Sequence, residues 1–170
     1  MKVIRTQNNS KNCLICGMEN EFGLKAPFYE LDDNSVASIF KFKKEHQSYP
    51  DRTHGGMTSA LLDELMGRTL WIKEPKMFGV TTTLNITYRK AIPLDTFVKA
   101  RAYLTFNSIR GFTAKGQIFD MNGNLLVEGT AKYFKISIEK MFGENADFHE
   151  EMCYEMPLDI NEIDFPAIKE

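Results

Sequence analysis

Residues 57–72, M-T-S-A-L-L-D-E-L-M-G-R-T-L-W-I, constrain the fold more than any other stretch of the chain. On a wheel of about 100° per residue, Met57, Ala60, Leu61, Leu65, Trp71 and Ile72 cover one side of a helix. Leu62, Met66 and Leu70 cover the other. No wide polar face remains, so the helix must be wrapped by other structure rather than laid on a surface. His54-Gly55-Gly56 precedes it and Glu74-Pro75 ends it, because a residue before proline avoids helical geometry.

What wraps it is read from the period. Val80, Thr82, Leu84, Ile86 and Tyr88 alternate with Thr81, Thr83, Asn85, Thr87 and Arg89, the signature of a strand beginning near Phe78. Pro93-Leu94-Asp95 turns the chain into a second alternating run, Val98–Phe106. A strand over Phe112–Asp120 meets Asn122-Gly123, a strong hairpin signal, and another follows over Leu125–Ile136. Before the helix, Lys25–Leu31 and Val36–Phe42 read as strands around the turn Asp32-Asp33-Asn34-Ser35. Residues 43–53, polar and holding Pro50, read as a loop. Two strands, one helix and four strands predict an α+β hotdog fold, a curved antiparallel sheet around one central helix. The four long strands are expected to run as a meander. The expected organisation is a lead-in over 1–24, a hotdog domain over 25–137 and a C-terminal extension over 138–170. The extension keeps Phe142, Phe148, Met152, Tyr154, Leu158, Ile160, Ile163 and Phe165. It is therefore expected to pack as a helix and an extended arm.

Charge is divided unevenly. Residues 143–170 carry nine acids and one base, so residues 1–142 hold 20 bases against 14 acids. A basic body attracts anionic ligands, although a solvated lysine surface would look the same. No basic run with interleaved aromatics suggests nucleic acid, and no apolar run approaches the ~18 residues of a membrane span. The start of the chain has no apolar core of a secretory signal. The cysteines are Cys13, Cys16 and Cys153, and an odd count favours reduced thiols in a cytoplasmic protein.

The two acids on the helix differ. Glu64 has Arg68 four residues on, the orientation that favours an ion pair. Asp63 has Ser59, Ala60, Met66 and Gly67 at those spacings and no cation. A carboxylate without a partner beside apolar walls is costly, so a function or a contact from elsewhere must retain it. The glycines before the helix leave backbone N–H groups open to a negative oxygen. Such donors can stabilise the oxyanion formed when an ester or thioester carbonyl is attacked. Ser59, His54 and Asp63 do not read as a hydrolytic triad, because the G-x-S-x-G elbow is missing. Cys13-x-x-Cys16 could be half of a zinc site, but the other soft ligands, Cys153, His46, His54 and His149, have no paired spacing. It reads as a thiol knuckle, with no metal or cofactor assigned.

Residues 13 to 137 resemble the PaaI-like hotdog thioesterases, which hydrolyse acyl-CoA thioesters. The resemblance lies in C-L-I-C-G-x-x-N-x-x-G-L, in H-Q-S-Y-P-D-R-T-H-G-G-M-T-S-A-L-L-D-E-L-M-G and in T-T-T-L-N-I-T-Y-R-K-A-I-P-L. The motif H-G-G-x-x-x-x-L-x-D/E is met by His54, Gly55, Gly56, Leu61 and Asp63. It implies that Asp63 is the nucleophile or general base, that the Gly55 N–H polarises the thioester carbonyl and that His54 helps position it. Gln47, seven residues before the histidine, would orient the thioester or water, and Thr81, eighteen after the acid, would assist the water. Gly56 and Ser48 would line the substrate. Arg89, Lys90 and Arg110 are candidates for the CoA phosphates, against the bland reading of solvated strand ends. The chain departs from relatives at Ser48, Asp51, Arg52 and Thr53, where glycines and apolar residues are usual. The resemblance further implies an obligate dimer or dimer of dimers, sheets joined edge to edge, with Gly55 of one subunit facing Asp63 of the other. The rival expectation is a non-catalytic hotdog module binding acyl-CoA or a lipid.

Overall fold

The computed structural model describes residues 1–143 and 151–166. The strands are β1 (Val3–Gln7), β2 (Phe28–Leu31), β3 (Val36–Lys41), β4 (Met77–Tyr88), β5 (Phe97–Asn107), β6 (Gly111–Asp120) and β7 (Leu125–Ser137). The helix α1 spans Gly55–Arg68 and continues as a 3-10 turn over Thr69–Ile72, and α2 spans Ile138–Phe142. All seven strands form one antiparallel sheet in the order β1-β2-β3-β5-β6-β7-β4. This is the expected hotdog fold, with α1 inside the curve of the sheet.

α1 is wrapped because its apolar residues face both ways. Leu61, Leu62, Leu65, Met66 and Leu70 are fully buried against Phe28, Val36, Val98, Ala100, Phe112, Ile118 and Val127 from the sheet. Each such side chain contributes about 1.5–3 kcal/mol of transfer free energy, which ties the helix firmly to the sheet.

Three features differ from the sequence expectation. The polar start contains a strand, β1, which adds to β2 at the sheet edge. Its short, exposed pattern (Ile4 59% and Arg5 outward) carries no amphipathic signal, and pairing alone defines it. Secondly, β4 does not form a hairpin with β5. It pairs with β7, so only β5, β6 and β7 run as a meander. The third is a bulge in β4 between Thr81 and Thr83. A bulge inserts one residue and reverses which side chains face inward. Met77 and Thr81 before it thus share the helix-facing side with Leu84, Ile86 and Tyr88 after it. Strict alternation puts Thr81 on the opposite face.

The sheet's two edges are treated differently. Along β1, the C-terminal arm runs alongside: Lys2 bridges Glu162, the Val3 N–H donates to Asn161 O at 2.8 Å and Thr6 Oγ1 donates to Met156 O at 2.7 Å. The arm then places Ile163 and Phe165 on the sheet's outer face against Tyr29, Leu31 and Phe119. This is the extended arm expected of the tail; Phe148 and His149 lie outside the described residues. Along β4, twelve residues long, the outer edge has no partner strand among the described residues.

Candidate active site

The entrance to α1 uses up its free donors one by one. The first N–H groups of a helix have no intrahelical acceptor. Here His54 is the cap: its Nδ1 accepts from the Gly56 N–H at 2.9 Å, which leaves the proton of the neutral ring on Nε2. The carbonyl of His54 accepts from Met57 at 3.0 Å and Thr58 at 3.3 Å. The Gly55 N–H alone of this group has no acceptor among the described residues. Gly55 lies flat against Tyr88, where an added Cβ would sit 3.3 Å from the ring and hydroxyl. The Tyr88 hydroxyl donates to Gly55 O at 2.9 Å and accepts from Ser59 Oγ. Ser59 therefore faces a tyrosine, not the imidazole a triad would need. A cavity of about 260 Å³ opens beside Gly55, with Thr53, Thr58, Arg89 and Lys90 in its wall. Arg89 is ion-paired with Glu128 across the sheet, and the Thr53 hydroxyl is buried without a partner.

The middle of α1 presents the carboxylate. Asp63 has no partner on its own helix, but two hydroxyls from the sheet reach it. Thr81 Oγ1 lies 2.9 Å from Oδ1 and 3.1 Å from Oδ2. The Tyr133 hydroxyl lies 3.1 Å from Oδ1 and 2.9 Å from the backbone carbonyl of Asp63. Thr81 and Tyr133 are cross-strand partners on β4 and β7, so one register brings both to the acid. Tyr133 stacks on Phe112 at 4.5 Å. Burial, reinforced by the Asp63 charge, holds its phenol far above the ordinary tyrosine range, so it remains a donor. A second cavity of about 240 Å³ opens here, walled by Trp71, Phe78, Thr81, Tyr133 and Met152, with Cys13, Cys16 and Glu64 at one side. Glu64 takes Arg68 as expected, Nε to Oε1 at 2.9 Å.

The structure therefore brings Thr81 to Asp63, and Arg89 and Lys90 to the Gly55 cavity. Gly56 has its N–H taken by His54. Gln47 and Ser48 are exposed in the loop before the helix, where Gln47 Oε1 accepts from the Asp51 N–H at 3.2 Å and the Ser48 N–H donates to Arg52 O. Arg110 is exposed in the β5–β6 turn and is not among the residues lining either cavity. Tyr133 and Tyr88 were not anticipated. Their signal was weak: each is one aromatic in an alternating strand, and only the pairing of β4 with β7 gives them meaning.

Residues 52–127 match the family model of the thioesterase superfamily. Over that segment the chain resembles the thioesterase superfamily. Over 116 residues, 68% of its length, it is 31% identical to the acyl-coenzyme A thioesterase THEM4 of Mus musculus. It spans about half (49%) of that curated relative. Among solved structures it resembles the thioesterase superfamily protein RHA08564 with a TM-score of 0.67 at 24% identity, covering 72% of this chain and 63% of that one. It also resembles the BH2602 protein of Bacillus halodurans, solved with CoA, with a TM-score of 0.60 at 24% identity over 66% of this chain and 75% of that one. This likeness joins the two ends of α1 into one question: whether a donor and an acid so far apart could serve one reaction.

Proposed function

We propose that the protein hydrolyses acyl-CoA thioesters to the free acid and CoA, at a site built from two copies of the chain. The observation that carries this reading is a separation. Gly55 and Asp63 lie eight residues apart on one helix, about 12 Å at a rise of ~1.5 Å per residue. Reacting groups must stand about 3–3.5 Å apart, so one carbonyl cannot use both from a single chain. A second copy, turned end for end, would set Gly55 of the partner subunit against Asp63. The long open edge of β4, which carries Thr81 and Tyr88, is the natural seam, since an unpaired strand edge seeks another strand.

In this reading the thioester carbonyl accepts from the Gly55 N–H at the positive end of the helix. Asp63, held by Thr81 and Tyr133, takes a proton from water. The hydroxide adds to the carbonyl carbon, the tetrahedral oxyanion collapses, and the carbon–sulfur bond breaks to release CoA thiolate, which is then protonated. Gln47 and Ser48 border the bound thioester only if the partner brings its acid to their loop. Arg89, Lys90 and, from the far turn, Arg110 would meet the CoA phosphates. The relative named as an acyl-CoA thioesterase and the neighbour solved with CoA support the substrate class. Residues 25–137 would be the catalytic unit, flanked by 1–24 and 138–170. The three free cysteines suit a cytoplasmic location, and no helix among the described residues is long and apolar enough to cross a membrane.

The test is complementation. Asp63→Asn and Gly55→Pro chains, each nearly inactive alone, are mixed, allowed to exchange and assayed for CoA release from a panel of acyl-CoAs. A shared site regenerates one of the two centres in each mixed dimer, so activity returns toward about a quarter that of wild type in an equal, fully exchanged mixture and toward half in purified mixed dimers. No recovery in verified mixed dimers would sink the shared site, and no turnover of any acyl-CoA by wild type would favour a binding module.

A further inference from the structure

We propose that Cys13, Cys16 and Glu64 form a binding site for a soft divalent cation of the zinc class, at one side of the Asp63 cavity and independent of the thioesterase reading. The two Sγ atoms and a Glu64 carboxylate oxygen lie within 4.8 Å of one another. Tetrahedral zinc with thiolate bonds of about 2.3 Å places its ligand atoms about 3.8 Å apart, a contraction that side-chain rotation can supply. All three residues line the same cavity, which leaves room for a water as fourth ligand. Two sulfurs and one oxygen are a donor set that selects zinc over magnesium or calcium.

The surroundings are those of a thiolate knuckle. The Ile15 N–H points at Cys13 Sγ from 3.3 Å, the Ser10 N–H at Cys16 Sγ from 3.4 Å, and the Ser10 hydroxyl lies 3.3 Å from the same sulfur. Donors aimed at sulfur stabilise the charged form and orient it for a metal. Gly17 closes the turn: its N–H donates to Cys13 O at 2.8 Å, and a Cβ there would sit 2.3 Å from that oxygen. Any other residue would force the backbone of this turn to shift.

Arg68 is the objection and also the answer. A cation next to a metal site is repulsive, yet it contacts the far oxygen of Glu64. Oε1 takes Arg68, while Oε2 faces Cys13 Sγ at 3.0 Å. Two thiolates and a carboxylate around a dication carry one excess negative charge, and buried Arg68 cancels it. With metal bound the site is thus electrically closed, where an uncompensated buried charge would be costly. Arg68 itself is fixed by Asn8 O at 3.1 Å and by the faces of Phe28 and Trp71. It therefore holds Glu64 in place as an outer partner holds a ligand.

The probe is Co²⁺ added to full-length protein reduced with a phosphine, in a Cys153→Ser background that removes the exposed third thiol. The expected result is one Co²⁺ per chain, with a sulfur-to-cobalt charge-transfer band of two-thiolate intensity, tetrahedral visible absorption, and displacement by Zn²⁺. Cys13→Ser and Cys16→Ser should each halve or abolish the band, and Glu64→Gln should weaken binding roughly ten- to a hundredfold with the band retained. Circular dichroism checks that each variant is folded. Absence of the band in the folded parent, its survival in the Cys13→Ser/Cys16→Ser double variant, or binding unmoved by Glu64→Gln would each overturn the assignment.

Discussion

Around Gly55 the helix offers backbone; around Asp63 it offers a side chain held by other side chains. The Gly55 end is assembled almost locally, from a cap one residue away and a tyrosine on the neighbouring strand. The Asp63 end is assembled from residues up to 70 positions apart in sequence, Asp63 and Tyr133. An anion site at a helix start follows from helix geometry wherever the chain can approach it. A carboxylate lodged against aromatic walls exists only if a sheet delivers its donors. The first half of the site is cheap to specify and the second depends on the whole fold.

Breaking the acid end should have the largest effect. Asp63→Asn is expected to lower turnover by roughly 10³-fold or more, with unchanged circular dichroism and oligomer size; CoA release under saturating substrate measures it. At the donor end, Gly55→Pro removes the N–H while keeping the helix, because proline suits the first helical position. Loss of one oxyanion donor should cost about 10²-fold in kcat/KM with little change in Tm. Gly55→Ala keeps the N–H and should keep more activity, limited by its methyl against Tyr88. If the two substitutions are equally damaging, sterics rather than the donor governs that end.

A smaller loss should follow from the support behind the acid. Tyr133→Phe deletes the donor to Asp63 Oδ1 and to its carbonyl, and should lower kcat roughly tenfold while KM stays near wild type. Its stability cost should be about 1 kcal/mol by denaturant titration. A rise in KM alone would mean that Tyr133 lines substrate and does not hold the acid.

The smallest effect lies further back. Glu74 accepts from Lys135 Nζ at 2.6 Å and from Asn107 at 3.0 Å, tying the end of the helix to β7 two residues past Tyr133. The Lys135 hydrogen bond holds the Glu74 carboxyl below its ordinary value, with Asn107 adding to it. A depressed carboxyl stabilises the fold fully above the unfolded pKa of ~4.3 and loses that contribution as pH falls through its folded value. Glu74→Gln should therefore lie about 1 kcal/mol below wild type at pH 7, and the gap should close in acid. A gap that persists at low pH would assign the effect to packing.

Much of this was legible in the residues. The all-round apolar helix required wrapping, and Leu61, Leu62, Leu65, Met66 and Leu70 are indeed buried on every side. The split between Glu64 and Asp63 followed from i+4 spacing, and Arg68 takes Glu64. What sequence alone determined is local: helix limits, strand periods, the hairpin at Asn122-Gly123 and the donors at the helix start. Only the tertiary structure decided which strands meet. The bulge at Thr82 turns Thr81 to the helix, the β4–β7 register sets Tyr133 beside it, and the turn at Cys13–Gly17 brings two thiols to Glu64. The physical reason is range. Propensity and period act over a few residues, whereas strand order is settled by the burial of a whole core, and the side chains that hold Asp63 inherit their positions from that order.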